Sequence, residues 1–277
     1  MRLRTLFIIV LILFFLTHLG SNTILHSQIG KYSIQNPSSP SGRLGGVSDF
    51  KKTQLKYPRV KEAYKYRLQY CKELLAFHGV DIKNFEIYIR ILKKEMITEL
   101  WAKNKMDEQF THITDYPFCA MSGSPGPKRL NGDMQIPEGF YYINSFEPTS
   151  NFYLALNINY PNEADKIASE TTLTGGSISI YGECKSNGCV ALHKEKMQEL
   201  YLLAIEATQE GQEKIEVHIF PEVLEPDRLN VLLISYSGNP KLAKFWDNIS
   251  DGYNYFEKNK KLPKIIVDKN GKYIFLD

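Results

Sequence analysis

The sequence has few cysteines, little net charge and no second long apolar run. Only four cysteines occur in 277 residues, namely Cys71, Cys119, Cys184 and Cys189. Four are too few to form a disulfide framework in a chain of this size, and their spacing fixes no pairing. The formal net charge is only +3, and no basic tract alternates with aromatic residues. These absences argue against nucleic acid as a partner.

The one long apolar run lies at the N-terminus. The short basic segment Met1–Arg4 precedes an almost wholly apolar stretch from Thr5 to Leu19. This stretch is short for a membrane-spanning helix and suits the core of a signal peptide. No cysteine follows it directly, which excludes lipoprotein processing. We therefore predict export to the periplasm or cell envelope, with residues 1–27 either cleaved as a signal peptide or retained as a membrane anchor.

The rest of the chain divides by composition. Residues 28–57 are rich in Ser, Gly, Pro and Asn, which predicts a flexible spacer. Residues 58–222 are expected to form one domain, and residues 223–277 a helix and hairpin that pack on it. We expect a monomer that touches the membrane only through its N-terminal segment.

Periodicity predicts a domain with many strands and a few separate helices. Apolar residues at helical spacing predict helices over 59–77, 194–210 and 242–258. Alternating or continuous apolar runs predict strands over 85–91, 96–102, 110–120, 140–146, 152–158, 177–181 and 215–220. The sequence Asp268-Lys-Asn-Gly271 predicts a terminal hairpin. Runs of strands with separate helices indicate an α+β fold rather than a doubly wound parallel sheet.

The segment from Ile178 to Leu192 carries the most specific chemical signal. A predicted strand leads into a polar loop, and Cys189 is expected just before a helix. Loop N–H groups could form an oxyanion hole there, and the positive helix end would lower the pKa of the thiol. Gly188 would allow a sharp turn and close approach of a substrate carbonyl. The alternative is that Cys189 is a small buried residue beside a turn.

Ser186-Asn-Gly188-Cys189 resembles the Ser-x-Gly-Cys signature of L,D-transpeptidases with a YkuD-type domain. The stretch Tyr181–Leu192 is similar to the shorter form found in YafK-like members. Further segments are similar to the same branch in the same order, so the resemblance extends over about residues 58–277. These segments are Leu100–Lys103, Tyr116–Ala120, Gly126–Arg129, Gly132–Tyr141, Asn157–Asn162, Val217–Pro221 and Phe245–Phe256.

The resemblance implies a strand-rich domain with a β-sandwich or barrel-like core and flanking helices. It implies an enzyme without metal or organic cofactor that acts on peptidoglycan stem peptides. The cysteine, here Cys189, would attack the diaminopimelate carbonyl and release D-alanine. An amine of a second stem would then accept the acyl group. Gly188 and Ser186 would shape the oxyanion turn.

One departure from the family pattern concerns the general base. Tyr181 stands where the family carries the His that deprotonates the thiol. A phenol has an unperturbed pKa near 10 and is a poor base at neutral pH. His193 could replace it, although we interpret this residue as a solvent-facing helix start. Three functions therefore stay open. They are a transpeptidase, a hydrolase that cuts amides made at diaminopimelate through the same acyl-enzyme, and a catalytically impaired peptidoglycan-binding protein.

Charged residues of the long loop between the predicted strands could contact the substrate. Lys128 and Arg129 could bind a carboxylate of the stem peptide, or they could be solvated. Asp133 and Glu138 could recognise the amine of diaminopimelate. The remaining polar and aromatic candidates are interpreted as structural: Cys119, Cys184, Trp101, His112 and His218.

Overall fold

A computed structural model describes residues 49–169 and 174–277. The predicted signal segment and most of the predicted spacer fall in residues 1–48, outside the described residues. Within the described part of the chain, no helix is both long and apolar enough to cross a bilayer.

The centre of the domain is a closed barrel of eight strands. Along the chain these are β1 (Phe85–Leu92), β2 (Ile97–Asn104), β3 (Thr111–Ala120), β4 (Gly139–Glu147), β5 (Ala155–Ile158), β6 (Ser179–Tyr181), β7 (Val190–Leu192) and β8 (Glu216–Phe220). Their spatial order is β1, β2, β3, β7, β6, β5, β4, β8, and β8 pairs back with β1. The pairs β1–β8 and β6–β7 are parallel, and the others are antiparallel.

Alternation along the strands separates the barrel interior from its outer face. In β1, Ile87, Ile89 and Ile91 belong to the main hydrophobic core. Tyr88 and Arg90 point the other way, because successive strand residues face opposite sides, and both contact Phe256 of the C-terminal helix. This two-sided burial explains why the strand is almost continuously buried.

In the part of the chain that the structure describes, six helices and a small hairpin surround the barrel. They are α1 (Phe50–Gln54), α2 (Pro58–Phe77), α3 (Glu163–Ala168), α4 (Lys194–Gln209), α5 (Pro226–Ser235) and α6 (Pro240–Asn259), followed by β9 (Lys264–Val267) and β10 (Tyr273–Leu276). Helix α4 is buried from Met197 to Ala207 and joins the barrel core to α2. Helix α6 packs on the outer face through Trp246 and Tyr253. The predicted α+β class with a barrel-like core is confirmed.

The folded domain begins earlier than residue 58, where the sequence placed its start. Helix α1 packs on α4, and Lys51 forms an ion pair with Glu206 at 2.6 Å. The hydroxyl of Tyr201 donates a hydrogen bond to Gln54 at 3.0 Å. The described end of the predicted spacer is therefore helical, and the predicted boundary at residue 57 is wrong. Its Ser, Gly and Pro content lies upstream of these packing residues.

A buried ion pair fixes the long loop between β3 and β4, residues 121–138, called here the site loop. The ammonium of Lys93 contacts Glu138 at 2.8 Å. It also donates to the carbonyl oxygens of Ser124, Gly126 and Ile136. Glu138 in turn accepts hydrogen bonds from the Gly126 N–H and the Trp246 indole. Because Glu138 is fully buried and engaged in this way, the expectation that it recognises a substrate amine is wrong.

We predict that Glu138→Gln lowers the free energy of unfolding by about 3–5 kcal/mol, because the buried Lys93 ammonium would lose its counter-charge. Chemical denaturation measures this loss. Glu108→Gln is the matched control, since Glu108 pairs with Lys261 at the surface and its loss should change stability little. Equal stabilities of the two variants would show that the buried pair does not hold the loop.

Candidate active site

Cys189 ends the loop that joins β6 to β7, residues 182–189, called here the cysteine turn. Its side chain is half-buried and packs beside Ala155, Tyr181 and Ala191. The N–H of Ser179 on β6 donates a hydrogen bond to the sulfur at 3.4 Å. The expectation that Cys189 directly precedes a helix is wrong, because β7 follows it and α4 begins only at Lys194.

The surroundings of the thiol favour its neutral form. Burial raises the pKa of the Cys189 thiol. The Ser179 N–H and the positive charge of Lys128 oppose this effect, but they offset it only in part. Since a free cysteine already titrates above neutral pH, the Cys189 thiol is mostly protonated at pH 7. The helix end that was expected to lower this pKa is separated from Cys189 by a strand.

The other three cysteines do not offer a free thiol to solvent. Cys119 on β3 and Cys184 in the cysteine turn form a disulfide, with Cα atoms 5.1 Å apart. Cys71 is free but fully buried in α2. All four cysteines lie in the described residues, so Cys189 is the one free thiol that solvent reaches. The imidazole of His193 lies 3.7 Å from the sulfur of Cys184, beside the disulfide.

Tyr181 lies against the cysteine turn but does not offer a base. Its hydroxyl donates a hydrogen bond to the carbonyl of Lys185 at 2.5 Å. Its ring stacks on Phe152, with centroids 4.8 Å apart. Burial, together with the Cys189 and Glu183 charges, raises the pKa of Tyr181 to about 12. A phenol in this state keeps its proton at neutral pH and cannot take one from the thiol.

The backbone of the cysteine turn is held from two sides. Gly188 has a φ of +90°, and a Cβ atom there would lie 2.7 Å from the carbonyl oxygen of Gln135. Glycine is therefore required at this position. The Gly188 N–H donates a hydrogen bond to the Ser122 hydroxyl at 2.7 Å. The Ser186 hydroxyl donates to the Cys189 carbonyl at 2.7 Å.

Comparisons of the sequence with known proteins identify a family. The profile of the YkuD L,D-transpeptidase catalytic domain matches residues 86–219. Over 190 residues the chain is 34% identical to YafK of Escherichia coli K12, whose name gives an L,D-transpeptidase activity as provisional. That alignment covers 68% of this chain and 73% of YafK, and YafK of Escherichia coli O157:H7 matches equally. The chain belongs to the YkuD L,D-transpeptidase family.

Two solved structures with low overall similarity were also found. One is the helical cell shape determining protein Pgp2 of Campylobacter jejuni, with 17% identity and a TM-score of 0.40 over 67% of this chain and 73% of Pgp2. The other is Bd1075 of Bdellovibrio bacteriovorus, with 25% identity and a TM-score of 0.36 over 50% of this chain and 48% of Bd1075.

Two basic residues of this L,D-transpeptidase domain were candidates for substrate binding. Lys128 is buried and forms an ion pair with Asp133 at 2.6 Å, so a solvated role for Lys128 is wrong. Arg129 pairs with Asp165 at 2.9 Å and stacks on Phe245. Both charges therefore have protein partners in this state. Lys128 is the cation whose charge acts on the Cys189 thiol.

Residues interpreted as structural are placed in the domain as expected. Trp101 packs in an aromatic cluster with Phe256. His218 is fully buried, contacts the Tyr88 hydroxyl at 3.0 Å, and burial lowers its pKa to about 3. It is therefore neutral at physiological pH. His112, on β3, pairs with Asp115 at the surface.

One residue of the site was missed by sequence reasoning. Ser122 contacts both Gly188 and Ser186, yet it lies in the Gly- and Pro-rich site loop, far from them along the chain. No local pattern links a serine in such a loop to the cysteine turn. Only the packing of the site loop against that turn makes the contact visible.

We predict that Tyr181→His speeds alkylation of Cys189 at pH 7. An imidazole with a pKa of about 6.5 is mostly neutral there and can accept the thiol proton. The gain should fall near the lower end of the roughly 10²–10⁴-fold typical of general base catalysis. In the wild type, the raised thiol pKa predicts a labelling rate that climbs with pH to 9 and beyond.

The measurement is the rate of iodoacetamide labelling of Cys189 between pH 6 and pH 10. Tyr181→Phe is the matched control, because it removes the hydroxyl without adding a base and should keep the steep pH dependence. A wild-type thiol that titrates below pH 7, with no gain from Tyr181→His, would assign activation to another group.

Proposed function

We propose that this protein is a cysteine acyltransferase that acts on peptidoglycan stem peptides as an L,D-transpeptidase. The Cys189 sulfur attacks the diaminopimelate carbonyl of a donor stem and forms a thioester. The amide bond to the terminal D-alanine breaks, and D-alanine leaves as the free amine after taking up a proton. An amine of a second stem then attacks the thioester, forms a new amide and restores the thiol.

One observation carries this proposal. Cys189 is the free and partly exposed thiol of the chain, and it lies in the turn that bears the family signature Ser186-Asn-Gly188-Cys189. A neighbouring sulfur in the same turn, that of Cys184, is closed off in a disulfide. These contacts support Cys189 as the sulfur that would carry the covalent chemistry.

A second candidate function is binding of stem peptides with little or no turnover. It is favoured by the environment of the thiol, where Tyr181 takes the position of the base and burial raises the thiol pKa. Such a protein would bind stem peptides beside the cysteine turn and lack rapid activation of Cys189. In either function Lys128 and Arg129 would lie near the substrate. A stem carboxylate could then replace Asp133 or Asp165 as the ion-pair partner of these two cations.

The proposed location is the periplasm or cell envelope. Disulfides form and persist in oxidising compartments outside the cytoplasm, and the Cys119–Cys184 bond joins two separate segments of this site. The N-terminal basic and apolar segments supply the proposed export signal. The cell wall substrate lies in that same compartment.

We predict that a carbapenem acylates the wild-type protein once, at Cys189. A β-lactam carbonyl presents the same acyl chemistry as the donor stem, so the adduct requires the nucleophile of the proposed reaction. Intact mass spectrometry after incubation measures the adduct, and peptide mapping assigns its position.

Cys189→Ala should abolish the adduct, whereas the matched variant Cys71→Ala should retain it because Cys71 is buried away from solvent. An adduct on Cys189→Ala would move the nucleophile elsewhere. Absence of any adduct on a wild-type protein whose Cys189 still reacts with iodoacetamide would favour the binding function.

A further inference from the structure

The hydroxyl of Ser122 connects the site loop to the cysteine turn. Its oxygen accepts the Gly188 N–H at 2.7 Å. It also lies 2.9 Å from the carbonyl oxygen of Met134 and 3.0 Å from the hydroxyl of Ser186. Ser186 lies between Ser122 and the carbonyl of Cys189. Ser122 is thus one hydrogen bond away from Gly188 and two away from Cys189.

A count of protons shows that this hydroxyl is fully engaged. Ser122 and Ser186 have one hydroxyl proton each, while three oxygen–oxygen contacts join them to each other, to Met134 and to Cys189. The Ser122 oxygen must therefore accept from Gly188 and give its own proton to Met134 or Ser186. Removing it would leave the buried Gly188 N–H without this acceptor and Ser186 without its neighbour.

The contacts act on the backbone of the turn and not on the sulfur. The described hydrogen bond to the Cys189 sulfur comes from the Ser179 N–H, whereas Ser122 and Ser186 contact the backbone of Gly188 and Cys189. The Gly188 N–H is bound by the Ser122 hydroxyl. The Gln135 carbonyl packs against the position where a Cβ of Gly188 would lie. The direction of the peptide groups around Cys189 therefore depends on the site loop.

We propose that Ser122 is a positioning residue for acyl transfer, which holds the peptide groups of the cysteine turn so that they meet the oxyanion formed at the attacked carbonyl. This inference rests on the proposed role of Cys189 as an acyl-accepting nucleophile. Addition of the thiolate to a carbonyl moves an electron pair onto oxygen, and oriented N–H donors stabilise that charge. Displacement of iodide from iodoacetamide forms no oxyanion, so it does not need this orientation.

The test compares two reactions of the same sulfur. p-Nitrophenyl acetate acetylates Cys189 through an oxyanion and releases p-nitrophenol, whereas iodoacetamide alkylates Cys189 without one. Both rate constants are measured on the full-length protein and its variants at several pH values, with peptide mapping to confirm the site. The readout is the ratio of acylation to alkylation, which cancels changes in thiol ionisation.

Ser122→Ala should lower this ratio about 10–100-fold, somewhat less than the loss of an oxyanion donor itself. Ser122→Thr keeps the hydroxyl and should restore the ratio to within about threefold of wild type. Ser124→Ala is the matched control, because Ser124 lies in the same loop and its hydroxyl contacts Gln135 rather than the cysteine turn. Should Ser122→Ala fail to fold, Ser122→Asn keeps a side-chain oxygen that can accept the Gly188 N–H at a different reach, and it should give an intermediate loss.

An unchanged ratio in Ser122→Ala would overturn the proposal, even where both rates fall together, because that result describes general loosening of the site. A higher ratio would overturn it too, since the hydroxyl would then be competing with the substrate for the Gly188 N–H. Neither reagent resembles peptidoglycan. A wild-type protein without a carbapenem adduct therefore rejects the proposed function while still yielding this ratio.

Discussion

The buried ion pair between Lys93 and Glu138 is the contact on which the geometry of the site depends. Moving both charges out of water is costly unless each is compensated and hydrogen-bonded. Here Glu138 meets Lys93, the Gly126 N–H and the Trp246 indole. The pair therefore joins the β1–β2 turn, helix α6 and the site loop at one point. This contact holds the site loop in one conformation.

Because the ion pair holds the site loop in place, the loop can present fixed groups to the cysteine turn. Its two halves present the Ser122 hydroxyl and the Gln135 carbonyl to Gly188, and its middle places the Lys128 charge within reach of the thiol. The disulfide between Cys119 and Cys184 adds a covalent link from β3 to the same turn. The loop and the disulfide thus hold the cysteine turn from two directions, while the sulfur itself contacts Ser179.

Positioning and activation of the nucleophile are separated in this chain. The cysteine turn carries the sequence Ser186-Asn-Gly188-Cys189, and the positive φ of Gly188 is one that glycine adopts readily. Tyr181 does not supply an activating base, because it keeps its proton and directs its hydroxyl at Lys185. The physical consequence is a thiol on a well-held backbone that is mostly protonated at neutral pH, so its reactivity should grow as the pH rises.

The sequence predicted those parts of the fold in which a periodic pattern extends over many residues or a strong turn signal occurs. The alternation from Phe85 to Ile91 identified β1, and Asp268-Lys-Asn-Gly271 identified the terminal hairpin. Strand β7 was missed because Val190–Leu192 is a three-residue apolar run that could equally enter a helix. The short helix α3 was missed as well, since its start depends on the Asn162 capping box rather than on periodicity.

The candidate site was predictable only where its residues are adjacent in sequence. The Ser186–Cys189 turn and the replacement at Tyr181 were visible as a local pattern. The Cys119–Cys184 pairing, the Ser122 contact and the engagement of Glu138 with Lys93 and Trp246 were not. Each of these joins segments that are distant along the chain, and only closure of the barrel brings them together.

The most direct test of the central claim is turnover of a defined peptidoglycan fragment. A disaccharide tetrapeptide ending in D-alanine would be incubated with the wild-type protein and with Cys189→Ala between pH 7 and pH 9, and the products identified by mass spectrometry. The account predicts Cys189-dependent release of D-alanine that grows with pH, together with a cross-linked dimer. Release to water alone would make the protein a hydrolase, and equal release by Cys189→Ala, or none by a wild-type protein whose thiol is reactive, would contradict the account.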